Sequence, residues 1–302
     1  MKSNKGWWLA AVILTAVAGI AYWERPVSFF NRITDADMYL SGARSNWVIV
    51  GGHRVHYFVE GPPEGKAVVF VHEMGGHAED WDNLAEAVAR WGFRVYLPDL
   101  PGYGQSEQPA DFSYSVRDEA EAVVGFMDAL KIQDADLGGW SVGGAIVQHI
   151  AARHPERVRK LILFDSAGIY EAPKWDVSLM TPKTAADLKK LDALLMPQPP
   201  NVPPYIARDI LRRSKDNAWV IRRAIEAMRT GNDATDKLLP RLKMPVLILW
   251  GELDRITPVS QGKKISELVP QSQLEVFPGC GHLAPTQCAD DIGPVVVEFL
   301  IS

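Results

Sequence analysis

A chain of 302 residues with 47% hydrophobic composition can bury one large core plus an insertion, or two smaller domains. A net charge of -5, with no basic stripe and no aromatic-interleaved basic patch, excludes the electrostatic footprint of a nucleic-acid binder, so no nucleic-acid partner is expected. Cys280 and Cys288 are the only cysteines; they exclude a disulfide framework, while a single bridge between them is conceivable in an oxidising compartment and stays open.

The N-terminus is unlike the rest. Trp7 to Trp23 carries no charge, follows Lys2 and Lys5, and is bounded by Trp7-Trp8 and Tyr22-Trp23. The stretch is at the short end for a membrane span, but its aromatic ends match an interfacial belt. The expectation is a membrane anchor or signal over residues 1–25, with the remaining chain exported to a periplasmic or other extracytoplasmic face. Secretion after cleavage near Ala16-x-Ala18 is the alternative. Arg25 and Arg32 weigh against that orientation, and Val27, Phe29, Phe30 and Ile33 read as an interfacial continuation.

Strands are expected at Trp47–Val50, Val55–Val59, Ala67–Val71, Phe93–Leu97, Ala135–Gly139, Val158–Phe164, Val246–Trp250 and Leu274–Val276. Helical stretches at Ala78–Ala89, Ser115–Leu130, Gly143–His154 and Pro258–Leu268 lie between most of them. Continuous apolar strands alternating with helices imply a mostly parallel, eight-stranded sheet covered on both faces. The first two strands, joined through Gly51-Gly52, read as an antiparallel edge hairpin. From about Ala167 to Leu239 the alternation stops. Helices at Ala185–Leu195, Tyr205–Arg213 and Ala218–Met228 surround the proline-dense run Pro197 to Pro204, a pattern that fits a helical cap more readily than a linker.

Three segments carry chemistry. Gly139-Trp140-Ser141-Val142-Gly143 sits between a strand and a helix, where a sharp turn exposes the serine hydroxyl and small neighbours let the backbones pass. Asp254 follows the strand ending Trp250-Gly251, and His282 sits in the glycine-rich turn Gly279-Cys280-Gly281-His282. The order Ser, Asp, His gives a nucleophile, Ser141, a base, His282, and an orienting carboxylate, Asp254. Asp165, at the end of the preceding strand, is the rival acid. Upstream, the strand Val68 to Val71 runs into His72-Glu73-Met74-Gly75-Gly76. His72-Glu73 with His77 does not make a zinc motif, because Gly75-Gly76 spoils the one-face helix such a site requires. No metal or other cofactor is expected.

From about residue 45 onward these motifs, together with Asp99-Leu100-Pro101-Gly102-Tyr103-Gly104-Gln105-Ser106, resemble the serine hydrolases of the α/β-hydrolase family. Within it the chain looks most similar to membrane-anchored monoacylglycerol lipases and related esterases, through the insertion Thr181 to Pro204 and the apolar N-terminus. The resemblance implies an α/β-hydrolase fold whose core runs over 45–166 and 240–302, with a cap insertion at 167–239. It also implies an oxyanion hole from the backbone N–H groups of Met74 and Val142, an ester or lipid substrate, and no cofactor. Trp140, Leu195 and Met196 are the expected substrate contacts. Carbon–carbon bond hydrolases and perhydrolases share the same triad. A serine at the turn argues against epoxide hydrolases and haloalkane dehalogenases. The family usually has glycine where Glu73 stands. An outward-turned Glu73 side chain is the expected pose, since an unpaired buried carboxylate is costly. Glu73 is also the one hint of a catalytically silent, membrane-associated binding protein.

Overall fold

The computed structural model describes residue 19 and residues 22–302; most of the stretch read as an anchor therefore lies outside the described residues. Among the described residues no helix is long and apolar enough to cross a membrane. A first helix, α1 (Pro26–Ser41), covers the stretch read as an interfacial continuation.

The remaining elements follow in chain order: β1 (Arg44–Val50), β2 (His53–Glu60), β3 (Ala67–Val71), α2 (Asp82–Ala89), β4 (Arg94–Pro98), α3 (Val116–Ala129), β5 (Ala135–Trp140) and α4 (Val142–Arg153). After them come β6 (Val158–Phe164), α5 (Ala185–Leu195), α6 (Pro204–Arg229), β7 (Val246–Gly251), α7 (Val259–Leu268), β8 (Ser272–Phe277), α8 (Ala284–Gln287) and α9 (Ala289–Ile301). The eight strands form one sheet in the order β1-β2-β4-β3-β5-β6-β7-β8. Only the β1–β2 and β2–β4 pairings are antiparallel, and Gly51 and Gly52, both at positive φ, make the tight turn of the edge hairpin.

Strand periodicity feeds two cores. Val69, Val71, Leu137, Leu161, Leu163 and Ile248 face α3, α4 and α7, whereas Phe70, Ile162, Phe164, Leu247 and Leu249 face α1, α2 and α9. Alternate residues of one strand thus fill opposite layers, which is why the strands read as continuous apolar runs. The helix α9 has no counterpart in the sequence expectation. Its Val295-Val296-Val297 run and the internal Pro294 mask a helical pattern whose Ile292, Val296 and Leu300 are buried.

The insertion between β6 and β7 differs from expectation in one respect. Tyr205–Arg213 and Ala218–Met228 belong to a single helix, α6, because the polar run between them contains no glycine or proline to break it. The helix is braced by α1: Asp209 Oδ2 accepts from Val27 N–H at 3.0 Å, and the Trp23 ring stacks on Tyr205 at 4.9 Å.

Candidate active site

The carboxyl edge of the parallel strands brings three loops together. Ser141, between β5 and α4, has φ 53° and ψ -117°, a left-handed conformation held by the close passage of its neighbours. A Cβ on Gly139 would lie 2.2 Å from Gly143 O, and one on Gly143 would lie 2.3 Å from Val71 O, so both positions require glycine. Ser141 N–H donates to Phe164 O on β6, which pins the turn to the sheet.

His282, in the loop between β8 and α8, has Nε2 at 2.9 Å from Ser141 Oγ and Nδ1 at 2.8 Å from Asp254 Oδ2. Asp254, after β7, collects further donors: Ile256 N–H and Thr257 N–H reach Oδ1 at 2.8 and 3.0 Å, and Thr257 Oγ1 donates to Oδ2 at 2.7 Å. Burial lowers the His282 pKa, but the charge and hydrogen bond of Asp254, then Glu73 and Asp165, outweigh it and push the imidazole up to about 9. Asp165 does not reach His282 within hydrogen-bond distance; its Oδ1 accepts from Gly251 N–H at 2.7 Å. Burial and the Asp254 charge hold Asp165 well above the ordinary carboxyl range.

The loop after β3 faces Ser141. A turn closed by Gly76 N–H to Glu73 O needs the positive φ of Gly75, and Met74 within it lines the same cavity as Ser141. Asp99 anchors the end of this loop, accepting from Ala78 N–H at 2.7 Å and pairing with His56 Nδ1 at 2.8 Å. His72 is a core group: one ring nitrogen meets Glu73 O at 2.7 Å and the other accepts from Leu100 N–H at 3.0 Å. Burial lowers its pKa.

A cavity of about 670 Å³ opens over these residues, with Glu73, Met74, Ser141, Val142 and His282 on its floor and cap side chains such as Trp175, Met180, Leu195 and Met228 around it. Leu195 thus lies where a substrate contact was expected, and its carbonyl also accepts His282 N–H at 2.9 Å, tying α5 to the histidine loop. Trp140 and Met196 do not line the cavity. The Trp140 side chain turns into the core beside Trp81, because alternation at the end of β5 points it away from the Ser141 side, and its Nε1–H donates to His282 O at 2.9 Å. Met196 is the residue at which α5 ends, its backbone already extended.

Two further outcomes were not legible. The Glu73 side chain is turned inward, contrary to the outward pose: it lines the cavity with Oε2 at 3.6 Å from His282 Nε2. Burial pushes its carboxyl up to about 7 against the lowering effect of His282. Cys280 and Cys288 are disulfide-bonded, fastening the His282 loop to the start of α9.

A family model described as the alpha/beta hydrolase fold matches residues 66–213 and 229–286 of the chain. The 2-hydroxy-6-oxo-6-phenylhexa-2,4-dienoate hydrolase of Burkholderia cepacia is 31% identical over 258 residues, covering 78% of this chain and 88% of the relative. Lipase 1 of Psychrobacter immobilis is 25% identical over 253 residues, covering 80% and 79%. Among solved structures, a membrane phospholipase A described as a bacterial virulence factor superposes with a TM-score of 0.84 at 26% identity, covering 98% of each chain. The chain belongs to the α/β-hydrolase family and is a hydrolase.

Proposed function

We propose that this family member is a serine carboxylic ester hydrolase of the lipase and esterase type, with Ser141, His282 and Asp254 as its triad. The observation that carries the reading is the unbroken hydrogen-bond chain from Ser141 Oγ through the His282 ring to Asp254, on the floor of a cavity walled by apolar cap residues. Ser141 Oγ attacks the ester carbonyl while His282 Nε2 takes its proton; Asp254 holds the Nδ1–H tautomer and stabilises the imidazolium. The oxyanion rests on the N–H groups of Met74 and Val142. His282 then protonates the departing alkoxide, leaving an acyl-enzyme that water, activated by the same histidine, hydrolyses.

An ester with an apolar acyl chain suits Trp175, Met180, Leu195, Ile225 and Met228, and the lipase and membrane phospholipase similarities point the same way. Carbon–carbon bond hydrolysis is the second reading, favoured by the 31% identity to the dienoate hydrolase. Against it stands Glu73, an acidic group beside the nucleophile where an anionic dienoate would have to react. The N-terminal apolar segment, together with the Cys280–Cys288 bond, supports a membrane-associated domain in an oxidising, extracytoplasmic compartment.

The deciding experiment offers detergent-solubilised full-length protein a panel of p-nitrophenyl esters of increasing chain length and a 2-hydroxy-6-oxo-dienoate. Ester turnover that disappears in Ser141→Ala is expected. Cleavage of the dienoate alone overturns the ester reading. Folded protein that turns over neither and takes no fluorophosphonate label is a binding protein.

A further inference from the structure

The His282 ring has a carboxyl group at each end. On the Nδ1 side Asp254 is 2.8 Å away, as base catalysis by the other nitrogen requires. On the Nε2 side two groups compete: Ser141 Oγ at 2.9 Å and Glu73 Oε2 at 3.6 Å. Nε2 must present a lone pair to take the serine proton, whereas a carboxylate on that side favours Nε2–H. Ionised Glu73 therefore stabilises the form of His282 that cannot act as base. Glu73 is reached through the turn 73–76, whose hydrogen bond and Gly75 fix the strand exit that points its side chain at the ring.

We propose that Glu73 is a second counter-ion of His282, seated on the nitrogen that must receive the Ser141 proton, and that it raises the lower pH limit of Ser141 attack. The inference deepens the serine hydrolase reading and rests on it.

Other charges around the pair do not substitute for this contact. Asp254 acts on His282 from the Nδ1 side of the ring and Asp165 adds its charge, while the charges felt by Glu73 besides His282 are those of Asp80, Asp254 and His77. Around the cavity wall stand Glu171, Lys174, Asp176, Arg229, Asp233 and Arg255, of both signs. With Glu73 pushed up to about 7 and His282 up to about 9, the site passes through three states. Below about 7 Glu73 is neutral and His282 protonated; between about 7 and 9 they form an ion pair; above about 9 the neutral imidazole can accept a proton. Removing the Glu73 charge takes a partner from the imidazolium, so the neutral base forms at lower pH.

The test follows the rate of fluorophosphonate labelling at Ser141 against pH, in the full-length protein and in Glu73→Gln and Glu73→Gly. Labelling forms a Ser141 Oγ–P bond, breaks P–F with loss of fluoride, and passes the serine proton to His282, so it reports the same base without assuming a substrate. In parallel, the ¹⁵N shift of His282 Nε2, assigned by its loss in His282→Gln, is titrated in each protein. The expected result is a fall of about one pH unit or more in both midpoints on removal of the charge. Glu73→Gly serves if the amide of Glu73→Gln forms a new contact with the ring. Midpoints that stay put or rise in both variants overturn the proposal. Wild-type protein that never labels, while its His282 midpoint still falls on substitution, overturns the triad reading and leaves the counter-ion assignment standing.

Discussion

Replacing Asp254 by asparagine separates the two carboxyls next to His282. Oδ1 accepts from two backbone N–H groups, Ile256 and Thr257, so the amide oxygen must take that position and Nδ2 must face the ring. Thr257 Oγ1 accommodates this orientation, because it lies 2.9 Å from Asp165 O and can donate there while accepting from Nδ2. The second Nδ2 hydrogen then points at His282 Nδ1 and stabilises the tautomer with its proton on Nε2, which has no lone pair for Ser141. The fold should be unaffected and kcat should fall by roughly 10⁴-fold, about 5 kcal/mol of barrier. Asp165→Asn is the control: that group makes no hydrogen bond to His282 and uses one oxygen to accept from Gly251 N–H, a role an amide oxygen fills. Its kcat should stay within about threefold, under roughly 1 kcal/mol. Steady-state kinetics on a short ester, with thermal melts to confirm folding, decides. An Asp254→Asn protein with a tenth or more of wild-type kcat, or a severe loss confined to Asp165→Asn, refutes the assignment.

Ser141→Ala, His282→Ala and the double variant should lower ester turnover to the same near-background level, because the two residues act as one proton-transfer unit; additive losses measured as kcat would contradict this. Reducing the Cys280–Cys288 bond, or making Cys288→Ser, should cost about 2.5 kcal/mol by the loop-entropy relation for a sequence separation of 8, read as a lower denaturation midpoint. An unchanged midpoint would mean the bond adds nothing to the folded state. Glu60 on β2 is buried with Oε2 unpartnered, and burial, then Glu86 and Asp82, push it up to about 7 from 4.5. The unfolded chain loses this proton first, so the stability present below about pH 4.5 declines as pH rises and reaches its floor above about 7. Glu60→Gln should therefore stabilise by on the order of 2–3 kcal/mol at alkaline pH and not in acid; equal melting shifts at both would rule this out.

What the sequence made legible is what steric demand writes into it. Gly139 and Gly143 are glycine because any Cβ there meets backbone, and the turn that forces this sets Ser141 on the cavity. The strands could be read because both faces of the sheet are covered. Orientation and partnership were harder. Whether Trp140 faces the pocket or the core depends on the packing of Trp81, and whether Glu73 turns inward depends on His282, brought to it by the opposite end of the sheet. The pairing of Cys280 with Cys288 required their Cα atoms to approach to 6.4 Å, a matter of how α8 folds back. The helix α6 reads as two because a polar stretch looks the same in a helix as in a linker.

The three carboxyl groups around one imidazole also explain why the site can hold so much acid away from water. A buried carboxylate persists in proportion to the donors aimed at it. Asp254 has four, from Ile256 N–H, Thr257 N–H, Thr257 Oγ1 and His282 Nδ1. Asp165 has one, from Gly251 N–H, and burial holds it well above the ordinary carboxyl range. Glu73 has only the distant edge of the His282 ring and sits near the midpoint of its titration at neutral pH. Position along the strands would have allowed either aspartate to serve the histidine, but the donors do not. The loop after β7 folds its own N–H groups around Asp254, and Glu73 is left as the carboxyl with no hydrogen-bond donor of its own, its nearest partner the His282 ring at 3.6 Å.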